Sequence, residues 1–207
     1  MAARNPYPTA EPFLPEKRTL AQLREAVQQC EGCPLFAEAT QAVFGAGATR
    51  AKVMLVGEQP GDQEDLAGEP FVGPAGKVLD RALDEAGIDR RTAYVTNAVK
   101  HFKWRARGPR RLHDKPTWTE QVACRPWLEA ELAAVEPEAL VLLGATASQS
   151  LLGRTFRVTK SRGRPLDSDL AELVVATIHP SAVLRGENRD ELFAGLVDDL
   201  RVVARAV

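Results

Sequence analysis

One histidine of the chain lies in an arginine-rich stretch, RGPRRLHDK, at residues 107–115. A neutral imidazole can act as a nucleophile or a general base, and neighbouring cations disfavour protonation of a histidine. The arginines themselves suit contact with a phosphate backbone. His113 is therefore a candidate for a reactive group that is carried to nucleic acid, and the alternative is an ordinary solvated charged loop.

Three cysteines are candidates for metal ligands. Cys30 and Cys33 form a CEGC motif, and Cys124 lies far downstream. In a reducing compartment a CxxC motif more often indicates metal or redox chemistry than a structural disulfide. A redox CxxC usually opens a helix after a strand, whereas this motif follows a predicted helix. With His101 as a fourth ligand the set fits either zinc or an iron–sulfur cluster, and the alternative is three unrelated buried thiols.

Four short apolar runs predict the strands that must position these groups. Helical patterns fill the intervals between the runs, and this alternation predicts a parallel sheet that is covered on both faces. The runs are KVMLV at 52–56, AYVT at 93–96, ALVLL at 139–143 and LVVATI at 173–178.

A polar cluster follows each of these runs. Ligands of open parallel sheets bind beyond the carboxyl ends of the strands, so the clusters should converge on one edge of the sheet. Turn formation alone would explain one such cluster but not four. The clusters are GEQPGDQED at 57–65, NAVKH at 97–101, GATAS at 144–148 and HPS at 179–181.

Length and composition indicate one soluble globular domain. The chain has 207 residues, a net charge of -1, 44% hydrophobic and 27% charged residues, and no apolar run approaches the length of a membrane span. The proline-studded start predicts a flexible tail over residues 1–18 and a single domain over residues 19–207. Because it lacks the apolar core of a signal peptide, we expect a cytoplasmic protein.

The order of the motifs resembles that of the iron–sulfur uracil-DNA glycosylases of family four. CEGC, GEQPG, GEPFVGPAG, TNAVK, a cysteine in a later helix and HPS carry the resemblance, from about Cys30 to the C-terminus. Two departures are similar to the X-type branch, UdgX: His101 stands where the family has cysteine, and an arginine-rich insertion ends in RRLH at His113.

The resemblance implies a fold and a cofactor. The fold is an α/β/α three-layer sandwich with a central four-stranded parallel sheet, and the cofactor is a 4Fe–4S cluster with a structural role, held by Cys30, Cys33, His101 and Cys124. The implied partner is uracil-containing DNA, bound by a monomer.

The resemblance also implies roles at the base. Phe71 would stack on a flipped uracil, Asn97 would read its Watson–Crick edge, and His179 would donate to O2 and stabilise the departing anion. The uracil-binding set is Gln59, Gly61, Asp62, Phe71, Asn97 and His179. The set expected to contact DNA is Lys100, Arg110, Arg111, Gly73 and Ser181.

The implied reaction ends in covalent capture. Gln59 stands where better-known glycosylases carry a water-positioning carboxylate, and Glu58 is the nearest acid. We expect Glu58 to accept a hydrogen bond from His113, whose other ring nitrogen attacks C1′ of the sugar. Asp62 and Asp65 would help to place the loop.

Three alternatives stay open at this point. The first is a glycosylase that turns over because His113 activates water. The second is a non-catalytic iron–sulfur module that binds nucleic acid. The third is a nucleotide-binding domain that uses GEQPGDQ as a phosphate loop, which the lack of a following lysine and Ser/Thr disfavours.

Overall fold

Four parallel strands form the centre of the fold. The computed structural model describes residues 6–207. The continuous apolar runs form strands because both faces of each are buried. In chain order the strands are β1 (Ala46–Gly47), β2 (Val53–Gly57), β3 (Tyr94–Asn97), β4 (Trp104–Arg107), β5 (Arg110–His113), β6 (Ala139–Leu143), β7 (Pro165–Leu166) and β8 (Leu173–Thr177).

The main sheet has the order β1-β3-β2-β6-β8-β7. Its four central strands pair in parallel, and the two-residue strands β1 and β7 pair antiparallel at the edges. The predicted four-stranded parallel sheet is thus confirmed, with two short edge strands added that carry too few residues for a recognisable pattern.

Helices cover both faces of the sheet and make three layers. One core joins the helices of residues 74–86, 180–185 and 189–204 to the sheet. The other core joins the helices of residues 118–135 and 144–152 to the opposite face. The predicted three-layer α/β/α sandwich is therefore confirmed. The helices are α1 (Leu20–Ala26), α2 (Asp62–Ala67), α3 (Pro74–Ala86), α4 (Trp118–Val135), α5 (Gly144–Leu152), α6 (Val158–Ser161), α7 (Pro180–Arg185) and α8 (Arg189–Ala204).

The arginine-rich segment is a β-hairpin and not an irregular loop. β4 and β5 pair antiparallel, with Trp104 opposite His113 and Arg107 opposite Arg110. Gly108 adopts a φ of 58°, which L-residues with a side chain rarely adopt, so glycine permits the tight turn. The hairpin gives His113 a defined direction, which an irregular loop would not.

Part of the expected N-terminal tail lies against the domain. Ala10 is buried, and its N–H donates to the carbonyl of Ala123 in α4 at 2.8 Å. A short 3-10 helix follows at Glu11–Phe13. The predicted flexible tail therefore differs from the structure around Ala10, and residues 1–5 of that prediction lie outside the described residues. Within residues 6–207, no helix combines the length and apolar character needed to cross a membrane.

Candidate active site

A cavity of about 580 Å³ opens at the carboxyl ends of the parallel strands. Residues from all four predicted polar clusters line it, as the sheet topology requires. The hairpin adds His113 to its wall. The predicted site residues that line this cavity are Glu58, Gln59, Gly61, Phe71, Asn97, His113, His179 and Ser181.

Phe71 is held in the cavity wall by a strained backbone. Its φ of 60° lies in the left-handed region, which a bulky aromatic residue rarely adopts. Such strain persists only where the surroundings enforce it, and it concentrates at functional sites. A Cβ at Gly76 would overlap the Phe71 carbonyl, and a Cβ at Gly57 would overlap the Phe71 ring. Gly76 therefore leaves room for the backbone of Phe71, and Gly57 leaves room for its ring.

Asn97 presents an unpaired acceptor to the cavity. The residue is the last of β3, and its side-chain Oδ1 is buried with no hydrogen-bond partner among the described residues. Buried polar atoms are almost always paired, so an orphaned acceptor in a cavity wall indicates a ligand that donates there. The N3–H group of uracil is such a donor.

His179 offers a donor to the same cavity. Its Nδ1 lies 3.2 Å from the backbone N–H of Ser181, which donates to it. Burial lowers the pKa of His179 to about 4, so the ring is neutral at physiological pH. Because Nδ1 accepts, the single proton lies on Nε2, which is then free to donate.

The low pKa of His179 predicts an acid-sensitive term in stability. The unfolded chain, with a histidine pKa near 6.5, binds this proton more readily than the folded protein. Stability is therefore lost as the pH falls from about 6.5 towards 4, by up to about 3 kcal/mol. We expect urea denaturation of His179→Asn to show a weaker pH dependence than wild type over that range. Equal slopes for the two proteins would contradict the assignment.

Glu58 and His113 meet at the mouth of the cavity. Nε2 of His113 lies 3.3 Å from Oε1 of Glu58, and Thr146 donates a short hydrogen bond to the other carboxylate oxygen. Burial alone would raise the pKa of Glu58, but the hydrogen bonds from His113 and Thr146 lower it below its ordinary value. Thr146, whose role the sequence did not reveal, therefore helps to keep Glu58 ionised.

His113 faces Glu58, as predicted, and not the guanidinium groups that are its neighbours in the sequence. The sequence places the imidazole among guanidinium groups, whereas the structure sets the Glu58 carboxylate against it. Arg111 turns instead to Asp62 and Asp65, at 2.7 and 2.6 Å. Because side chains alternate along a strand, Arg107 and Arg110 lie on the opposite face of the hairpin from His113.

Arg111 anchors the hairpin to α2. Its guanidinium bonds the buried carboxylate of Asp65 and also lies over the rings of Phe102 and Trp104. Asp62 and Asp65 were expected to help to place this segment, and their contacts with Arg111 are consistent with that. The predicted contact of Arg111 with phosphate does not agree with the structure, because Asp62 and Asp65 already neutralise this guanidinium.

Three residues of the predicted uracil-binding set are engaged elsewhere. The Gln59 amide donates to the carbonyls of Lys103 and Asp114 and so closes the base of the hairpin. The Asp62 carboxylate pairs with Arg111. The N–H of Gly61 donates to Glu64 at 3.0 Å.

Glu64 also occupies an amide that we expected to contact DNA. The N–H of Gly73 donates to its other carboxylate oxygen at 2.7 Å. One side chain therefore ties together the turn at Gly61, which was predicted to bind uracil, and the turn at Gly73, which was predicted to contact DNA. Glu64 lies three residues after Gly61, at the position from which a glutamate caps the start of a helix, and this spacing could have predicted its contact with the Gly61 N–H.

Lys100 is not available to DNA. Its side chain is fully buried and pairs with Glu131 of α4, so the predicted DNA contact is wrong. The ammonium also donates to the Asn97 carbonyl at 2.7 Å and to Thr96 Oγ1 at 2.8 Å. Lys100 therefore fixes the turn that carries Asn97.

Loss of the Lys100 ammonium should strongly destabilise the domain. Lys100→Met leaves the Glu131 carboxylate buried without its cation, at an expected cost of about 3–5 kcal/mol in the free energy of unfolding. The double variant Lys100→Met/Glu131→Gln removes the stranded charge and should recover much of that loss. Chemical denaturation measures both, and equal losses in the two variants would argue against an ion pair.

Two further predicted contacts lie where DNA could reach them. Ser181 Oγ is 2.8 Å from Nδ1 of His179, so this residue orients the imidazole as well as lining the cavity. Arg110 is exposed on the hairpin. Their contacts with phosphate stay predictions.

The three cysteines lie in one buried cluster. Cys30, Cys33 and Cys124 pack with Trp127, whose Nε1 donates to Cys30 Sγ at 3.1 Å. The N–H of Lys100 donates to Cys124 Sγ of α4 at 3.3 Å, and the buried His101 follows Lys100 in the chain. In the described part of the chain, no three His, Cys, Asp or Glu side chains form a group that could hold one metal ion.

Comparison with known proteins agrees with this site. A family model described as the uracil DNA glycosylase superfamily matches residues 44–201. The type-4 uracil-DNA glycosylase of Thermotoga maritima is 39% identical over 167 residues, which cover 80% of this chain and 83% of that protein. The type-4 enzyme of Archaeoglobus fulgidus is 34% identical over 181 residues, or 84% and 87% of the two chains. With its core, its cavity and most of its length matched, the chain belongs to the uracil-DNA glycosylase superfamily.

Proposed function

We propose that the protein excises uracil from DNA and then becomes covalently joined to the abasic sugar through His113. The observation that carries the proposal is the cavity wall: an orphaned acceptor on Asn97 and a free donor on His179 flank the Phe71 ring. Uracil presents the complementary N3–H donor and O2 acceptor, and its flat face suits the aromatic ring.

His179 assists departure of the base. As the bond between N1 of uracil and C1′ breaks, its electron pair moves into the uracil ring, and negative charge develops on O2. A neutral imidazole that donates from Nε2 stabilises that charge in the transition state more than in the ground state. The Ser181 N–H on Nδ1 holds the required tautomer.

His113 supplies the second electron pair. Glu58 accepts a hydrogen bond from Nε2–H of His113, so the proton of the neutral ring stays on Nε2. The lone pair is then on the other ring nitrogen, Nδ1. That lone pair forms the bond to C1′ of the oxocarbenium-like sugar, and the imidazolium proton passes to Glu58. A neutral N-alkylated imidazole is a poor leaving group, so the product is an adduct that persists.

Denaturing electrophoresis tests the proposal. We expect incubation with uracil-containing single-stranded DNA to release free uracil and to yield a heat-stable protein–DNA band in equal amounts. Free uracil in excess of protein without such a band would establish the turnover enzyme, in which His113 activates water. No uracil release at any protein concentration would favour a non-catalytic binding module.

We also propose a 4Fe–4S cluster held by Cys30, Cys33, Cys124 and His101. Three buried cysteines in one cluster supply the thiolate-rich set that such a cluster takes, and His101 follows Lys100, whose N–H bonds Cys124. N–H groups of Trp127 and Lys100 already point at two of the sulfurs, as the hydrogen bonds that tune such clusters do. When bound, the cluster cross-links the N-terminal segment, the turn after β3 and α4.

Iron analysis tests the cluster. We expect brown wild-type protein with about four iron atoms and matching labile sulfide per chain. Cys124→Ser should lose most of both, because one corner of the cluster then lacks its thiolate. Colourless protein with one zinc ion would contradict the assignment.

The proposed setting follows from the substrate. We propose that the protein acts as a monomer in the cytoplasm on uracil-bearing DNA, as part of base-excision repair. Elution of the DNA-free protein at the size expected for 22.5 kDa tests the monomer.

A further inference from the structure

The two faces of the hairpin carry different chemistry. Residues paired across antiparallel strands share a face, and successive residues alternate between faces. Trp104, Arg111 and His113 fall on the inner face, where they contact Glu38, the α2 carboxylates and Glu58. The outer face carries Arg105, Arg107, Arg110 and Leu112.

The outer face is a patch of unpaired positive charge. Arg105, Arg107 and Arg110 are all exposed, and none forms a salt bridge with any carboxylate within residues 6–207. Arg111, at the centre of the same hairpin, is instead paired twice. Because the whole chain has a net charge of -1, three free guanidinium groups on one short strand pair form a pronounced local concentration of charge.

The position of this patch indicates what it binds. His113 is three residues from Arg110 along β5, which corresponds to about 10 Å at ~3.3 Å per residue. Successive nucleotides of B-DNA advance ~3.4 Å along each strand, so the patch lies within about three nucleotides of a sugar held at His113. Guanidinium groups match phosphate geometry and bind it bidentately.

We propose that Arg105, Arg107 and Arg110 form a phosphate clamp for the DNA strand that flanks the uracil, with Arg111 excluded from it. The clamp rests on the proposed function, since its place along the strand follows from a uracil nucleotide held in the cavity beside His113. Its outer-face arginines carry the affinity for the backbone, while the inner face places the reactive imidazole. The hairpin therefore joins strand capture to nucleophile delivery in one rigid element.

Salt-dependent binding to uracil-free single-stranded DNA tests the clamp without any chemistry. Each phosphate contact contributes about -0.7 to the slope of log K against log salt. The triple variant Arg105→Ala/Arg107→Ala/Arg110→Ala should therefore bind with a slope about two units shallower than that of wild type. Fluorescence anisotropy between about 50 and 200 mM salt provides the measurement.

A charge-matched control separates local contacts from net charge. Arg50→Ala/Arg91→Ala/Arg205→Ala removes three exposed arginines outside the hairpin and the cavity lining, and its slope should equal that of wild type. Equal slopes for wild type and the hairpin variant, or an equal change in both variants, would overturn the clamp.

Shortened substrates locate the clamp on the strand. We expect removal of the nucleotides beyond the third on either side of a uracil nucleotide with a non-cleavable glycosidic bond, which cannot form the adduct, to leave the affinity difference between wild type and the hairpin variant intact. Removal of all flanking nucleotides on one side should abolish that difference, and a difference that survives removal on either side would contradict the placement. Wild-type uracil release is measured separately, so failure of the clamp is distinguishable from failure of the proposed function.

Discussion

Replacing His113 by serine should abolish the heat-stable protein–DNA band completely. The serine hydroxyl is too short to reach the atom that the imidazole reaches, and it lacks a comparably basic lone pair at neutral pH. The side chain lost is the one that faces Glu58 at 3.3 Å. The change therefore removes the nucleophile and leaves the part of the cavity wall formed by Phe71, Asn97 and His179 in place.

Uracil release should continue in this variant and become catalytic. The volume vacated by the imidazole lies against the ionised carboxylate of Glu58, which can position and deprotonate a water molecule there. Free uracil should then exceed the amount of protein, whereas wild type should stop at one uracil per chain. The neighbouring Asp114→Ser carries the same new side chain at the end of the hairpin and should still form the band. A band of wild-type intensity in His113→Ser would exclude the imidazole as the nucleophile.

Replacing Asn97 by leucine should lower kcat/KM for uracil release by about 10³-fold. The two side chains have similar size, so the change removes polarity with little change in packing. Uracil would then enter with its O4 and N3–H unpaired in a dry pocket, at a cost of about 1–3 kcal/mol for each group, or about 4 kcal/mol together.

The matched control for this variant is Asn188→Leu, which makes the same replacement at the exposed start of α8 and should keep wild-type activity. Thermal unfolding of both variants checks that the domain is intact. An Asn97→Leu protein that is folded and loses less than about tenfold would show that uracil is not read through this amide.

The four parallel strands, the main helices between them and the edge of the sheet that holds the site were predictable from the sequence. Runs such as ALVLL form strands because both faces are buried, so the pattern and the environment agree. Once the strands are parallel, the residues after them must meet at one edge, and Glu58, Asn97 and His179 do so.

The partners of the charged residues were decided only by the tertiary structure. Lys100 is expected from the sequence to contact DNA, but its partner Glu131 lies 31 residues away on a different element. Arg111 likewise meets Asp62 and Asp65 across 49 and 46 residues. A local sequence pattern carries no record of such distances, because a buried charge is tolerated only after the chain has brought its partner to it.

The hairpin shows the same division most clearly. The sequence by itself determined that a histidine and several arginines occur together, and from this a reactive group near DNA was predictable. The tertiary structure decided which of them do what, because pairing β4 with β5 sends alternate side chains to opposite faces. Alternation turned Arg111 inward to the carboxylates of α2, left three arginines facing outward, and set His113 against Glu58. The sequence shows which residues occur together, but the pairing of β4 with β5 decides the face of the hairpin on which each side chain lies.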